Sequence, residues 1–255
     1  DPALKRFARA DNDLGIIRLG RLSDGKFENH LPRPGDGFGE AKNVKFSPDG
    51  RFLAVQYGRS TFQVWDLRSD PVACFAQPQV FRDIDFHPTE PLLVAAVGNA
   101  EGSESNIQFF ELPSGDPVRS WTFPRTINLL RCDPTGEKLL VVQNARKHRA
   151  VVVEADTGKE IARLRKPDAN VIDAAFSPDG RLIAFACPDD AVYLVKPALG
   201  GIYRTLIHDQ RVQRVRFNHT GDVLATSTWD GRTNLWEPIT GNLITVCSRQ
   251  FVRFG

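Results

Sequence analysis

The sequence predicts an all-β fold in which one four-stranded antiparallel unit repeats along the chain. Three observations carry that prediction. A turn-like pentapeptide recurs at near-constant spacing, short apolar strands flank every copy, and no stretch holds a helical apolar period over three turns. The pentapeptide FSPDG is intact at Phe46 and Phe176. Degenerate copies start at Phe86 (FHPTE), Cys132 (CDPTG) and Phe217 (FNHTG). The anchors 46, 86, 132, 176 and 217 are 40, 46, 44 and 41 residues apart. A period of roughly 40–45 residues with strand-like content is that of a propeller blade.

The elements follow in order. The stretch from Arg6 to Leu31 reads as the later strands of a blade, with SDGK as its last turn. Each anchor then closes a first strand: AKNVKF, FRDIDF, INLLRC, VIDAAF and VQRVRF, apolar at the first, fourth and sixth places. Second strands follow the anchors as FLAVQY, LLVAAV, KLLVVQ, LIAFAC and VLATST. Third strands are FQVWDL, IQFFEL, AVVVEA, AVYLVK and TNLWEP. Glycine turns such as PSGD, DTGK and ITGN lead to fourth strands such as ARLRK and NLITV. Runs such as VVV (Val151 to Val153) are apolar on both faces, so both faces are covered, as in sheets stacked around an axis. The terminal RQFVRF resembles one more first strand. The chain therefore reads as one β-propeller domain over residues 1–255 of about six blades, five complete and one split between the termini. Seven blades are the alternative for a fragment.

The repeated turn has a local explanation. Pro48 and Pro178 preset φ, Asp49 and Asp179 suit the next place, and Gly50 and Gly180 permit a left-handed backbone before the second strand. Phe46 and Phe176 end first strands and are expected to bury their rings between blades.

Composition narrows the function. The chain is 41% hydrophobic and 25% charged, an ordinary globular balance. A formal charge of +2 gives no global basic field of the kind a dedicated nucleic-acid binder carries. No apolar run approaches a membrane span, so no membrane contact is expected. Cys74, Cys132, Cys187 and Cys247 lack any CxxC or zinc spacing and read as buried small hydrophobes in a reducing, cytoplasmic compartment. The five histidines are scattered, and Asp189-Asp190 reads as a turn. GxSxG, GxxxxGK[ST], HExxH and the EF-hand loop are all absent from the sequence. No catalytic residue, metal or cofactor is expected, and the chain does not read as an enzyme.

The segment VLATSTWDGRTNLWEPITGNLI (Val223 to Ile244) and the Trp65-Asp66 pair in FQVWDLRSD resemble the WD-repeat (tryptophan–aspartate) propellers. The resemblance implies a structural hydrogen-bond tetrad of His208, Thr226 (or Thr228), Asp230 and Trp236, in which His and Thr pair a buried Asp. Only the fifth repeat supplies all four members; the fourth has Asp190 without the His or Trp. A divergent propeller is expected, a segment of a larger multidomain protein of bacterial type. FSPDG-rich bacterial propellers, some beside hydrolase domains, are a competing resemblance.

The same resemblance places the second residue of each first strand on a rim of the central channel and the fifth nearer the channel. The second places hold Lys42, Arg82, Asn128, Ile172, Gln213 and Gln250. The fifth hold Lys45, Asp85, Arg131, Ala175, Arg216 and Arg253. The loop NARKHR adds Arg146, Lys147 and Arg149, and another rim loop adds Arg165 and Lys166. Cations gathered on a near-neutral chain point to a protein or peptide ligand of acidic character. The competing reading is scattered solvated charges, some of them paired to Glu101 and Glu104 in the neighbouring loop NAEGSESN. Nucleic acid is less supported, because no aromatic residues interleave with the basic ones. The expected function is a non-catalytic, monomeric interaction platform, a scaffold or substrate-docking module. The alternatives are a regulatory propeller fused to a catalytic domain such as a protein kinase, or a gating propeller beside a hydrolase. Reversal of Arg131 and Arg216 to Glu is expected to remove partner capture without lowering stability.

Overall fold

The structure is a computed structural model that describes residues 5–11, 16–32, 40–57, 61–68, 80–98, 104–143, 150–164 and 170–247. Every regular element among them is a β-strand, and the chain forms two compact units, Asp1–Ile127 and Asn128–Gly255. The first unit holds three antiparallel sheets. Its first sheet is β1 (Arg6–Asp11), β2 (Ile16–Arg21) and β3 (Phe27–Leu31). Next come β4 (Ala41–Phe46), β5 (Phe52–Tyr57) and β6 (Thr61–Asp66). Then follow β7 (Val80–Phe86), β8 (Leu92–Gly98), β9 (Ser105–Glu111) and β10 (Pro117–Phe123).

The second unit also holds three sheets, each of four strands in chain order. They are β11 (Ile127–Cys132), β12 (Lys138–Gln143), β13 (Ala150–Glu154) and β14 (Glu160–Leu164); then β15 (Asp173–Phe176), β16 (Ile183–Ala186), β17 (Ala191–Lys196) and β18 (Gly201–Ile207). The last sheet is β19 (Val212–Phe217), β20 (Leu224–Thr228), β21 (Thr233–Trp236) and β22 (Leu243–Cys247). The fold class is that of a β-propeller built from four-stranded antiparallel blades. The places of a fourth strand beside β6 (residues 71–79) and of the terminal RQFVRF lie outside the described residues.

Within each unit the core lies between successive sheets. Ile17, Leu19 and Leu31 pack against Leu53, Val55 and Trp65, while Ala54, Phe62 and Val64 pack against Phe81, Ile84 and Leu93. In the second unit Leu140 and Val152 meet Ile183 and Phe185, and Ala184 and Leu194 meet Val215 and Trp236. Apolar residues on both faces of a strand follow from this stacking: β16 is buried throughout, and β8 up to Val97. The last sheet differs. Along β20 buried and half-buried residues alternate, so one face is covered and the other is partly wet. Phe46 and Phe176 are half-buried, each packed against one of these clusters.

The FSPDG turns form as their residues dictate. The Gly50 and Gly180 amides donate to the carbonyls of Ser47 and Ser177, and φ at the two glycines is 67° and 68°. The Ser47 and Ser177 hydroxyls donate to Asp49 and Asp179 at 2.5 Å and accept from the amides of Phe52 and Leu182 at 2.9 Å. A Cβ on Gly180 would find its nearest atom, Cδ of Pro134, at an ordinary 3.8 Å. A substitution there is opposed by backbone strain rather than by a clash. Gly50→Val and Gly180→Val are each expected to cost about 1–3 kcal/mol, because a β-branched residue is an outlier at positive φ. Urea midpoints equal to wild type would remove this mechanism.

The cysteines depart from expectation. Cys187 is buried, but Cys132 is half-buried and Cys247 exposed, because β22 is the outermost strand of its sheet. Cys74 lies outside the described residues.

Candidate functional site

The first strand of each repeat lies at one edge of its sheet, and four fifth-place side chains (Lys45, Asp85, Arg131 and Arg216) and one third-place side chain (Asp173) make charge contacts between neighbouring sheets. The densest set centres on Asp173 of β15, which is fully buried. Arg131 Nη2 of β11 donates to its Oδ1 at 2.9 Å. Arg216 Nη1 and the Val215 amide of β19 donate to Oδ2 at 2.6 Å and 3.2 Å. The first strands of three successive sheets are thus tied through one carboxylate. Burial alone would raise the Asp173 pKa. The Arg216 and Arg131 charges and the hydrogen bonds outweigh it and hold the group below the usual aspartate value.

The two arginines of this set are not equivalent. Arg131 is 9% exposed, and its other donors reach the carbonyls of Ala174 (Nε, 3.0 Å) and Leu130 (Nη1, 2.6 Å). Expected to face a partner, Arg131 is instead enclosed by the protein. The Arg216 side chain stays 53% exposed, and its internal bonds to Asp173 and the Val215 carbonyl both come from Nη1. The expectation that both could be reversed without loss of stability is therefore corrected. A glutamate at 131 would set a second buried carboxylate beside Asp173.

In the first unit Lys45 Nζ lies 2.5 Å from Asp85 Oδ1, so this lysine is paired within the protein, to an aspartate of the next sheet rather than to the Glu101 or Glu104 weighed from the sequence. Arg82 is exposed and crosses Gly98 of the adjacent strand; a Cβ there would lie 2.9 Å from Arg82 Nε. Asn128 is exposed, Gln213 half-buried and Ile172 44% exposed. Lys42 lies on β4. Arg146, Lys147, Arg149, Arg165, Lys166, Gln250 and Arg253 lie outside the described residues.

Three of the four expected tetrad members join. Trp236 Nε1 donates to Thr226 Oγ1 at 3.0 Å, and that hydroxyl lies 2.7 Å from His208 Nε2. His208 Nδ1 faces the Leu206 carbonyl at 3.2 Å. A carbonyl only accepts, so the proton sits on Nδ1, and Nε2 accepts from Thr226. Burial holds the His208 pKa below its usual value. Asp230 stands apart from this chain and accepts from Thr228 Oγ1 at 2.6 Å and the Arg232 amide at 3.2 Å. Both threonines named from the sequence are used, one at each end of the arrangement. In the second sheet Trp65 pairs with Leu53 as Trp236 pairs with Leu224, which sets Val55 where Thr226 stands. The buried Trp65 Nε1 has no hydrogen-bond partner among the described residues.

Among the described residues no three His, Cys, Asp or Glu side chains gather as a metal site, and no helix is long and apolar enough to cross a membrane. The sequence profile described as "WD domain, G-beta repeat" matches residues 200–237, which run from β18 through β21. The chain is 26% identical to Periodic tryptophan protein 2 of Arabidopsis thaliana, over 94% of its own length and 27% of that protein's. It is 30% identical to the COMPASS component SWD3 of Saccharomyces cerevisiae over 76 residues, covering 30% of the chain and 24% of that protein. The chain thus spans about a quarter of the length of the curated relatives it matches.

Proposed function

The chain is a divergent WD-repeat β-propeller, and from that premise we propose that it is a non-catalytic platform that binds an acidic protein segment through cations of its inner strands. WD-repeat propellers are in general interaction scaffolds, and one relative is by name a component of a larger assembly. The observation that carries the acidic partner is the state of Arg216. Asp173 and the Val215 carbonyl hold one edge of its guanidinium, while half of the side chain faces solvent. A guanidinium held on one edge is preorganised to take a carboxylate on the other, with little rotamer entropy left to lose. Cytoplasmic residence as a monomeric domain belongs to the same proposal.

The test uses a fluorescein-labelled peptide of alternating Glu and Gly. Arg216→Gln keeps the side-chain length and adds no like charge beside Asp173. It is expected to weaken binding by roughly tenfold, the size of one charge-assisted hydrogen bond. Raising the salt concentration should weaken wild-type binding in the same direction. Equal affinities for wild type and variant would remove Arg216 from the reading.

A further inference from the structure

We infer that a groove where β18 meets the last sheet is a second docking surface, for a peptide segment that presents one aliphatic or aromatic side chain beside a lysine or arginine. The groove has a volume of about 160 Å³, with walls from Ile207, Leu243 and Val246, a floor at Trp236, and Asp209 and Asp230 at its mouth. It is well under the roughly 300–1,000 Å³ of pockets that enclose a small organic ligand. It is suited to one side chain of a peptide.

The apolar walls are exposed yet fixed. Ile207 is 69%, Leu243 47% and Val246 43% exposed. Ile207 pairs with Ala191 at the end of β18, and β22 pairs along β21. Nearby, Trp229 is 72% exposed on a turn whose backbone is pinned. Its amide donates to the Arg211 carbonyl at 2.9 Å, and Gly231 closes the turn onto the Thr228 carbonyl at 3.0 Å. Large apolar groups held rigidly in water are what a docking hot spot requires, because little conformational freedom is lost when a partner covers them.

The outer strands show the same selectivity. β10 carries Pro117 and Arg119, β14 carries Glu160 and Arg163, and β18 carries Arg204; β22, LITVC, carries neither charge nor proline. Charge and proline are the usual protection of a sheet edge, and β22 lacks both.

Charge at the mouth selects the partner. Asp209 and Asp230 are carboxylates, and the cation among the lining residues, Arg232, already has its Nε 3.2 Å from Asp230 Oδ2. Asp209 and Asp190 both act on the His208 ring, so they stand close to the groove. The surplus is negative, which favours a cation beside the inserted side chain and disfavours an acidic segment. The preference is opposite to that of Arg216, so the two surfaces take different partners.

The test titrates the chain with nonapeptides of a central Leu or Phe flanked by Lys on both sides, and with the same peptides flanked by Glu. Trp229 emission is the readout, and Trp229→Phe identifies its share of the signal. The Lys-flanked peptides are expected to shift the emission to the blue and to bind at least tenfold more tightly than the Glu-flanked ones. Leu243→Ser and Asp209→Asn, both at exposed sites, should each weaken that binding while the melting temperature holds. Arg216→Gln should leave it unchanged, which separates this surface from the Arg216 site. Equal binding of both peptide sets, no binding at millimolar concentration, or indifference to both variants would overturn the proposal. So would a dimer in sedimentation that Leu243→Ser dissociates, since the groove would then hold a second copy of the chain.

Discussion

Asp173→Ala is expected to lower the unfolding free energy by about 3–5 kcal/mol at pH 7, the cost of breaking a buried ion pair by removing one partner. The magnitude follows from which charges are left behind. Arg216 exposes half of its side chain and can turn to water, but Arg131 is enclosed and would keep its charge without a counter-ion. The loss is a large fraction of a typical domain's stability of about 5–15 kcal/mol. Asp173→Leu combined with Arg131→Met removes both charges and should recover most of the loss. Glu160, whose ion pair with Arg163 is largely exposed, is the control, and Glu160→Gln should leave the urea midpoint where it is. A small loss in Asp173→Ala, equal to that of the control, would mean that water reaches Arg131.

The pH dependence has a definite sign. The folded-state pKa of Asp173 lies below its usual value of 3.8. Its contribution is therefore present above the usual carboxylate range and is lost as pH falls through the folded value. Urea midpoints measured below pH 4 should drop more steeply for wild type than for the Asp173→Leu, Arg131→Met pair.

The blade period was legible because its signal is local. Pro48, Asp49 and Gly50 set a turn through their own dihedral preferences, and a turn repeated at Phe176 reveals the repeat without knowledge of packing. The turn glycines carry the positive φ that their sequence context implies. The Asp173 arrangement was not legible, because it depends on how adjacent sheets are staggered. A third-place side chain on β15 meets a fifth-place side chain on β11 and another on β19, and no spacing along the chain encodes that meeting. One signal was present. Asp173 is an acid set within VIDAAF, a mostly apolar strand, and a carboxylate in such a setting needs partners. Arg131 and Arg216 looked alike in the sequence, and only their burial tells a structural guanidinium from an exposed one. Thr226 and Thr228 were equally ambiguous: two residues apart on β20 they share a face, and only the register that sets Trp236 opposite Leu224 brings Thr226 to it.

Thr226→Val is expected to cost roughly 1–3 kcal/mol for each of the two buried groups it strands, the Trp236 indole N–H and the His208 Nε2 lone pair. Valine matches threonine in shape, so the change removes the hydroxyl and leaves the packing of the surrounding sheets. The fold should survive. The second sheet already places a valine, Val55, where Thr226 stands, beside a buried Trp65 whose Nε1 has no hydrogen-bond partner among the described residues. The same site governs a second pH limb. The folded-state pKa of His208 lies below its usual 6.5, so its contribution is complete above that value. It declines as pH falls below 6.5, because the unfolded chain takes up the proton first. Substitution of His208 by Gln keeps an acceptor for Thr226 and should flatten the limb between pH 6.5 and the folded-state value, while Thr226→Val lowers stability at every pH. If Thr226→Val leaves the urea midpoint at pH 7.5 unchanged, the His208–Thr226–Trp236 chain does not hold this sheet together, and the apolar packing of Trp236 against Leu194 and Leu224 does.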